Sequence, residues 1–243
     1  MPDSLHRRAV EMLGARIVNG TYPSGSVLLA SELEEELGVS RSVIREAVRV
    51  LTSAGLLHSV KHVGSRVLPS EQWNPYDPLV IRWRLTGPGK NSQLRSLTEL
   101  RVAIEPVAAE LAALYAPHGF GSGLRVLAAS MGVAADSGDL RAFLELDVEF
   151  HSKVLVGSGN EMFASLAGPI GSTLRGRAAL GLLPEHPHGE LTQLHMDIAD
   201  AIATHDPVRA RSSMELVVRR TMAGTSSVWA EQPRVFPGPA SKG

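Results

Sequence analysis

Apolar side chains recur at helical period along most of this chain, and the few breaks in the pattern mark its organisation. Over residues 4–19, Leu5, Ala9, Met12, Leu13, Ile17 and Val18 fall on one face, which predicts a helix. Asn19-Gly20 ends it, and Thr21–Ser26 is turn-forming. A second helix is expected from Ser31, because Ser31-Glu32-Leu33-Glu34 has the spacing of a capping box; Leu33 and Leu37 face inward and Gly38 stops it. A third is expected after Ser40 as N-cap, with Val43, Ile44, Ala47, Val48 and Leu51 as its apolar stripe and Ala54-Gly55 as its end. Leu56–Val60, a tip at His62-Val63-Gly64 and Ser65–Leu68 read as a β-hairpin.

Residues 69–89 are rich in Pro and Gly, and only one or two helical turns are expected there, near Leu79–Leu85. Beyond them the helical period returns, with helices expected near 92–116, 122–136, 139–156, 160–181, 188–204 and 207–229. The fold class expected is mainly α: a winged helix-turn-helix of three helices plus a small hairpin wing, then an all-α antiparallel bundle. The boundaries expected are 1–69 for the winged domain, 70–91 for a linker, 92–230 for the bundle and 231–243 for a disordered or loosely attached tail. A chain of 243 residues suits two modest domains of this kind.

Composition narrows the function. Hydrophobic residues are 44% and charged residues 20%, as in a folded globular protein. There is no cysteine, which excludes disulfides, thiolate zinc sites and cysteine nucleophiles and fits a reducing cytoplasm. The N-terminus has no secretory pattern and no run approaches ~18 apolar residues, so a cytoplasmic protein without a membrane partner is expected. Net charge is only −1, but from Val39 to Arg66 five basic residues (Arg41, Arg45, Arg49, Lys61, Arg66) stand against the single acid Glu46. Arg41, Arg45 and Arg49 recur every four residues and form a basic stripe on another face of the third helix. That is a local phosphate-binding face, and such a helix can enter the major groove, where Arg donates a bidentate pair to guanine.

The stretch ASELEEELGVSRSVIREAVRVLTSAGLLHSVKHVGSRV resembles the N-terminal domain of the GntR family of transcription regulators. Its core pattern is met by Val39, Ser40, Arg41, Ile44, Arg45, Glu46, Ala47, Val48, Leu51, Gly55 and Leu56. The resemblance implies DNA contacts from Ser40, Arg41, Ser42 and Arg45, with His62 and Gly64 at the wing; Arg49 continues the basic stripe. It also implies a homodimer on a palindromic operator. Many members carry Arg where this chain has Ser31, so one DNA contact is absent or replaced.

The second half carries a different chemistry. Asp147 and His151 lie one helical turn apart among Phe143, Leu144, Leu146, Val148, Phe150 and Val154, and His195 comes from another predicted helix. A carboxylate and imidazoles buried in a bundle need partners. One Asp and two His suit a divalent metal such as zinc, nickel, manganese or iron; the same groups can also make an ordinary Asp–His hydrogen bond or hold a polyhydroxy acid directly. Arg101 and Glu105 form another i, i+4 pair, either an intrahelical salt bridge or a fork for a ligand carboxylate. His118, His186 and His188 read as surface residues.

ELRVAIEPVAAELAA, LDVEFHSKVLVGSGN and HMDIADAIATHD resemble the helical ligand-binding (FCD) domain of the FadR subfamily, over roughly 93–225. EQWNPYDPLVIRWRL resembles the linker of sugar-acid regulators of the galactonate-operon type. The resemblance implies a repressor released by a small carboxylate such as a sugar acid. Effector contacts would come from Arg101, Glu105, Asp147, His151, Arg175 and His195, with Asp147, His151 and His195 as ligands of a zinc or nickel ion. Metal-binding members supply a further His three residues after a position like Met214; here Val217 stands there.

An effector of the fatty acyl thioester class is the rival within the same fold, and the polar set argues for the small acid. An enzyme is not expected. His205-Asp206 matches the dipeptide of helical metal-dependent phosphohydrolases, but before Pro207 it reads as a helix N-cap. Gly87–Ser92 lacks the first glycine and the final hydroxyl of a phosphate loop.

Overall fold

The structure is a computed structural model that describes residues 2–60, 63–182 and 189–234. The chain divides into two compact units, one running to Lys90 and the other from Asn91 to Pro233.

The first unit holds α1 (Pro2–Val18), β1 (Val27–Leu28), α2 (Ala30–Leu37), α3 (Arg41–Ser53), β2 (Leu57–Val60), β3 (Gly64–Val67) and α4 (Pro78–Thr86). Leu13, Ile17, Leu33, Ile44, Leu51 and Leu56 close its core, so α3 turns inward the stripe its period predicts. The expected hairpin is present as β2 and β3, paired His58 to Arg66. A third strand was not legible: β1 is two residues long, too short to show alternation, and pairs with β3 to give the antiparallel order β1-β3-β2. Gly64 sits where these strands meet, at φ +132°, and a Cβ there would lie 2.7 Å from the Leu28 carbonyl oxygen.

Strand β1 also overturns the capping box expected at Ser31. The ladder keeps the chain extended through Leu28, Leu29 becomes the N-cap, and Ser31 is already inside α2 with no capping bond. Ser40 does occupy the N-cap of α3, but its hydroxyl meets the Ser42 hydroxyl at 3.0 Å instead of a free amide.

Within 70–91, α4 is well built. Asp77 Oδ1 accepts from the amides of Leu79 and Val80 at 2.8 and 3.2 Å, and Pro78 takes the first helical position. Trp83 packs on Gly14 of α1, where any Cβ would collide with the indole, and its Nε1 donates to Glu11 Oε2 at 2.9 Å. Arg82 pairs with the same carboxylate. α4 is thereby fastened to α1.

The second unit is all-helical: α5 (Lys90–Tyr115), α6 (Phe120–Asp136), α7 (Leu140–Gly157), α8 (Glu161–Ala164), α9 (Ala167–Ala179), α10 (Gly189–Ala203) and α11 (Pro207–Thr225). α10 packs on α6 and α11, and α7 on α6 and α9. The helix expected over 160–181 is two helices, because Pro169 in the first turn of α9 has no N–H to donate back to Ser165. After α11, Trp229 is buried, and Arg95 donates to the carbonyls of Gln232 and Pro233 at 2.8 and 2.9 Å. Of the tail expected to be disordered or loosely attached over 231–243, residues 235–243 lie outside the described residues.

Candidate functional site

Two sets of functional side chains stand out, one on each unit. On the first, α3 buries Ile44, Ala47 and Leu51 and leaves Arg41, Ser42, Arg45 and Arg49 exposed. The three arginines are not equivalent. Arg49 Nε bonds Glu46 at 3.0 Å, and Arg41 approaches Glu34 at 4.0 Å. Among the described residues Arg45 has neither a hydrogen-bond nor an ion-pair partner. Arg41, Ser42, Arg45, Ser31 and Gly64 line one groove of about 700 Å³ between the α3 face and the wing. Ser40 is exposed at its edge; His62 lies outside the described residues.

In the second unit, three helices bring five buried ionisable groups together. α5 supplies Arg101 and Glu105, α7 supplies Asp147 and His151, and α10 supplies His195. Arg101 Nε donates to Glu105 Oε1 at 2.6 Å, and its Nη2 lies 3.3 Å from Glu105 Oε2 and 3.3 Å from His151 Nε2. His151 Nδ1 lies 2.6 Å from Glu105 Oε2, out of line with the ring N–H direction, so this is a charge contact rather than an aligned hydrogen bond. Asp147 Oδ1 lies 3.3 Å from His151 Nε2 and 3.1 Å from His195 Nε2. The two pairs read separately from the sequence are thus one chain of charges, joined by the Glu105–His151 contact.

The charges hold each other in their ionised forms. Burial pushes Glu105 up, but Arg101 and His151 outweigh it and hold the carboxyl at about 2. Burial likewise opposes the Asp147 carboxylate, and His151 and His195 keep it well below its usual range. Burial would lower His151, yet Glu105 and Asp147 raise it to about 9. Because the folded value lies above the ordinary 6.5, this contribution to stability is complete below pH 6.5 and is lost as pH rises through about 9. Metal-free protein in a chelator should therefore melt at progressively lower temperature from pH 7 to pH 10, and His151→Gln should flatten that slope. Thermal unfolding across the series checks it; parallel slopes in the two proteins would contradict it.

The donor set fits a divalent metal. Asp147, His151 and His195 each offer one ligand atom, all within 4.8 Å of one another. His195 Nδ1 lies 2.8 Å from the Leu191 carbonyl oxygen, which can only accept, so Nδ1 carries a proton. The other nitrogen, Nε2, then faces Asp147 Oδ1, and two electron-rich atoms at 3.1 Å need a proton or a cation between them. Val217 on α11 lines the same cavity and offers no ligand atom.

That cavity measures about 30 Å³, and its lining includes Arg101, Asp147, His151, His195 and an arginine that sequence reasoning missed, Arg177. The expected Arg175 is not brought to it. Arg175 is exposed and bonds Glu145 on the surface at 2.6 and 3.1 Å. Two residues along a helix turn the side chain by ~200°, so on α9 Arg177 points inward where Arg175 points out. The signal was available: Ile170, Leu174 and Arg177 follow an i, i+4, i+7 stripe, and all three are buried. His118 is exposed, and His186 and His188 lie outside the described residues. Asp206 caps α11 by accepting from the Arg209 amide at 3.0 Å, and His205 Nδ1 lies 2.9 Å from the Ala113 carbonyl, so that dipeptide serves the helix junction.

Comparison with known proteins divides the chain in the same way. The profile of the bacterial regulatory proteins of the gntR family matches residues 5–67, and that of the FCD domain matches residues 96–220. The galactonate operon transcriptional repressor of Escherichia coli K12 is 33% identical over 204 residues, 82% of this chain and 87% of that protein. The HTH-type transcriptional regulator YieP of the same organism is 31% identical over 158 residues, 65% of this chain and 69% of that protein. Among solved structures, Listeria monocytogenes Lar superposes with a TM-score of 0.60 at 16% identity, covering 91% of this chain and 96% of that one. E. coli McbR/YncC does so with 0.55 at 17%, covering 93% and 98%. The structural likenesses concern the fold.

Proposed function

The chain belongs to the GntR family of bacterial regulatory proteins, with an FCD domain behind its winged helix-turn-helix, and on that premise we propose a repressor that a small carboxylate of the sugar-acid class releases from its operator. The observation that carries this reading is the division of charge. An exposed arginine without a partner among the described residues stands on α3, and a chain of mutually paired ionisable groups stands in the core of the helical unit. The first suits phosphates and base edges; the second suits a small polar ligand. The name of the galactonate operon repressor supports the sugar-acid class.

In this reading α3 lies in the major groove. Arg45 reads a base, Arg41, Ser40, Ser42 and Arg49 hold phosphates, and the wing around His62 and Gly64 touches the flanking backbone. The effector enters beside Asp147, His151 and His195. A zinc or nickel ion held by those three would supply a Lewis-acidic point for the acid's oxygens. Glu105 fixes His151, the Leu191 carbonyl fixes the His195 ring, and Arg101 holds Glu105 ionised. A fatty acyl chain would meet a cavity walled by charged groups and gain no pairing from them, which disfavours the thioester rival. Helix movement on binding changes the spacing of two winged domains in a dimer.

One winged domain reads few base pairs, so a homodimer on a palindromic operator is expected. Light scattering at micromolar concentration, with and without operator, should give twice the chain mass; a monomer in both would contradict the reading. Fluorescence anisotropy of a labelled operator, titrated with D-galactonate, D-gluconate and related acids with and without zinc, tests the effector class. Release by a sugar acid supports it, and release only by acyl thioesters overturns it.

A further inference from the structure

Arg177 presents a problem of charge. It is buried on α9, yet among the described residues its Nε has no partner and no carboxylate lies within ion-pair distance of it. Its Nη2 reaches only the Leu182 carbonyl, at 3.5 Å. A buried cation without a counter-ion is costly, and an aliphatic side chain of similar size would fill the space at lower cost. The other charges are already matched. Arg101 commits Nε and Nη2 to Glu105, and Asp147 lies against His151. Among the described residues, what remains on the cavity wall is the Arg177 charge, with its Nε unpaired, and one nitrogen of Arg101, Nη1, which also lacks a partner.

We infer that Arg177 is the principal counter-ion of the effector's carboxylate, with Arg101 Nη1 as its helper and the rest of Arg101 reserved for Glu105. This rests on the reading of the helical unit as a small-molecule sensor and sharpens it. The ligand must be anionic, because a neutral polyol would leave the Arg177 charge uncompensated. A carboxylate matches the flat guanidinium fork better than a spherical anion does. Burial, then the like charge of Arg101, outweighs the more distant Asp147 and Glu105 carboxylates and draws the Arg177 guanidinium down to about 10. The cavity of about 30 Å³ has room for roughly one water, so a sugar acid displaces helices as it enters. Because the counter-ion rides on α9, the ligand's charge is read by that helix.

The test compares the full chain with Arg177→Met and Arg177→Lys by thermal unfolding at constant ionic strength. The additives are sodium chloride, sodium acetate, D-gluconate, D-galactonate and the neutral polyol galactitol. Without additive, Arg177→Met should melt higher than the parent, by about 2–4 °C, since an unmatched buried charge is gone. Acetate and the effective sugar acid should raise the parent's midpoint saturably over chloride, and galactitol should not. Arg177→Met should lose at least tenfold in carboxylate affinity, with Arg177→Lys between the two. A carboxylate midpoint unchanged in Arg177→Met, or a sharp drop in its stability without additive, would overturn the inference. If acetate acts through Arg177 but no sugar acid does, the sugar-acid reading fails and the counter-ion stands. If no carboxylate shifts the parent, both fail.

Discussion

Replacing Arg45 with alanine lowers operator affinity by ~1–3 kcal/mol per half-site, about 5- to 150-fold, and relaxes specificity at one base pair in each half. The size follows from its position. Arg45 lies one turn into α3, on a different face from Ile44 and Leu51, exposed and without a partner among the described residues. No bond to another described residue has to break to free its donors. Arg49 must first leave Glu46, at 3.0 Å, so Arg49→Ala should weaken binding less and more uniformly across sequences. Arg101→Ala acts elsewhere: it should spare operator binding and weaken the effector response. It also leaves Glu105 buried without its fork, so a melting curve accompanies the measurement. Loss of operator binding in a folded Arg101→Ala protein would mean that the roles are wrongly assigned.

Replacing Val217 with histidine tightens zinc binding at least tenfold, about 1.4 kcal/mol or more. Val217 is buried on α11 and lines the cavity that Asp147, His151 and His195 share. An imidazole there adds a nitrogen donor to one carboxylate and two imidazoles, completing four protein ligands in place of three. Without metal the variant should be less stable than the parent, because a polar ring replaces an aliphatic group in the core. With zinc it should recover. Calorimetry of both proteins with zinc decides this. Equal affinities would mean that the new ring does not reach the set or that no metal site exists. Undetectable binding in the parent alone would favour Asp147, His151 and His195 holding the acid by hydrogen bonds.

Periodicity carried most of the fold, because long amphipathic helices write their faces into the sequence: the α3 stripe and the burial of Phe143, Phe150 and Val154 on α7 follow it directly. Short-range competition was harder to read. The Ser31 capping box lost to two residues of strand pairing that no window could detect, and Pro169 split a helix whose apolar pattern ran on. In the site, each i, i+4 pair was visible on its own helix. The Glu105–His151 contact that joins them is a tertiary distance of 2.6 Å. Arg177 was missed because resemblance pointed to Arg175, whereas the stripe through Ile170 and Leu174 pointed to its neighbour.

The central claim is that a ligand in the helical unit and an operator on the winged unit oppose each other. Linkage makes that claim symmetric: if the ligand lowers operator affinity by some factor, the operator must lower ligand affinity by the same factor. The direct measurement is calorimetric titration of the protein with the sugar acid that releases it, once free and once saturated with operator. Ligand affinity should be weaker on the operator, by a factor equal to the ligand-induced loss of operator affinity. Identical ligand affinity in the two states would contradict it.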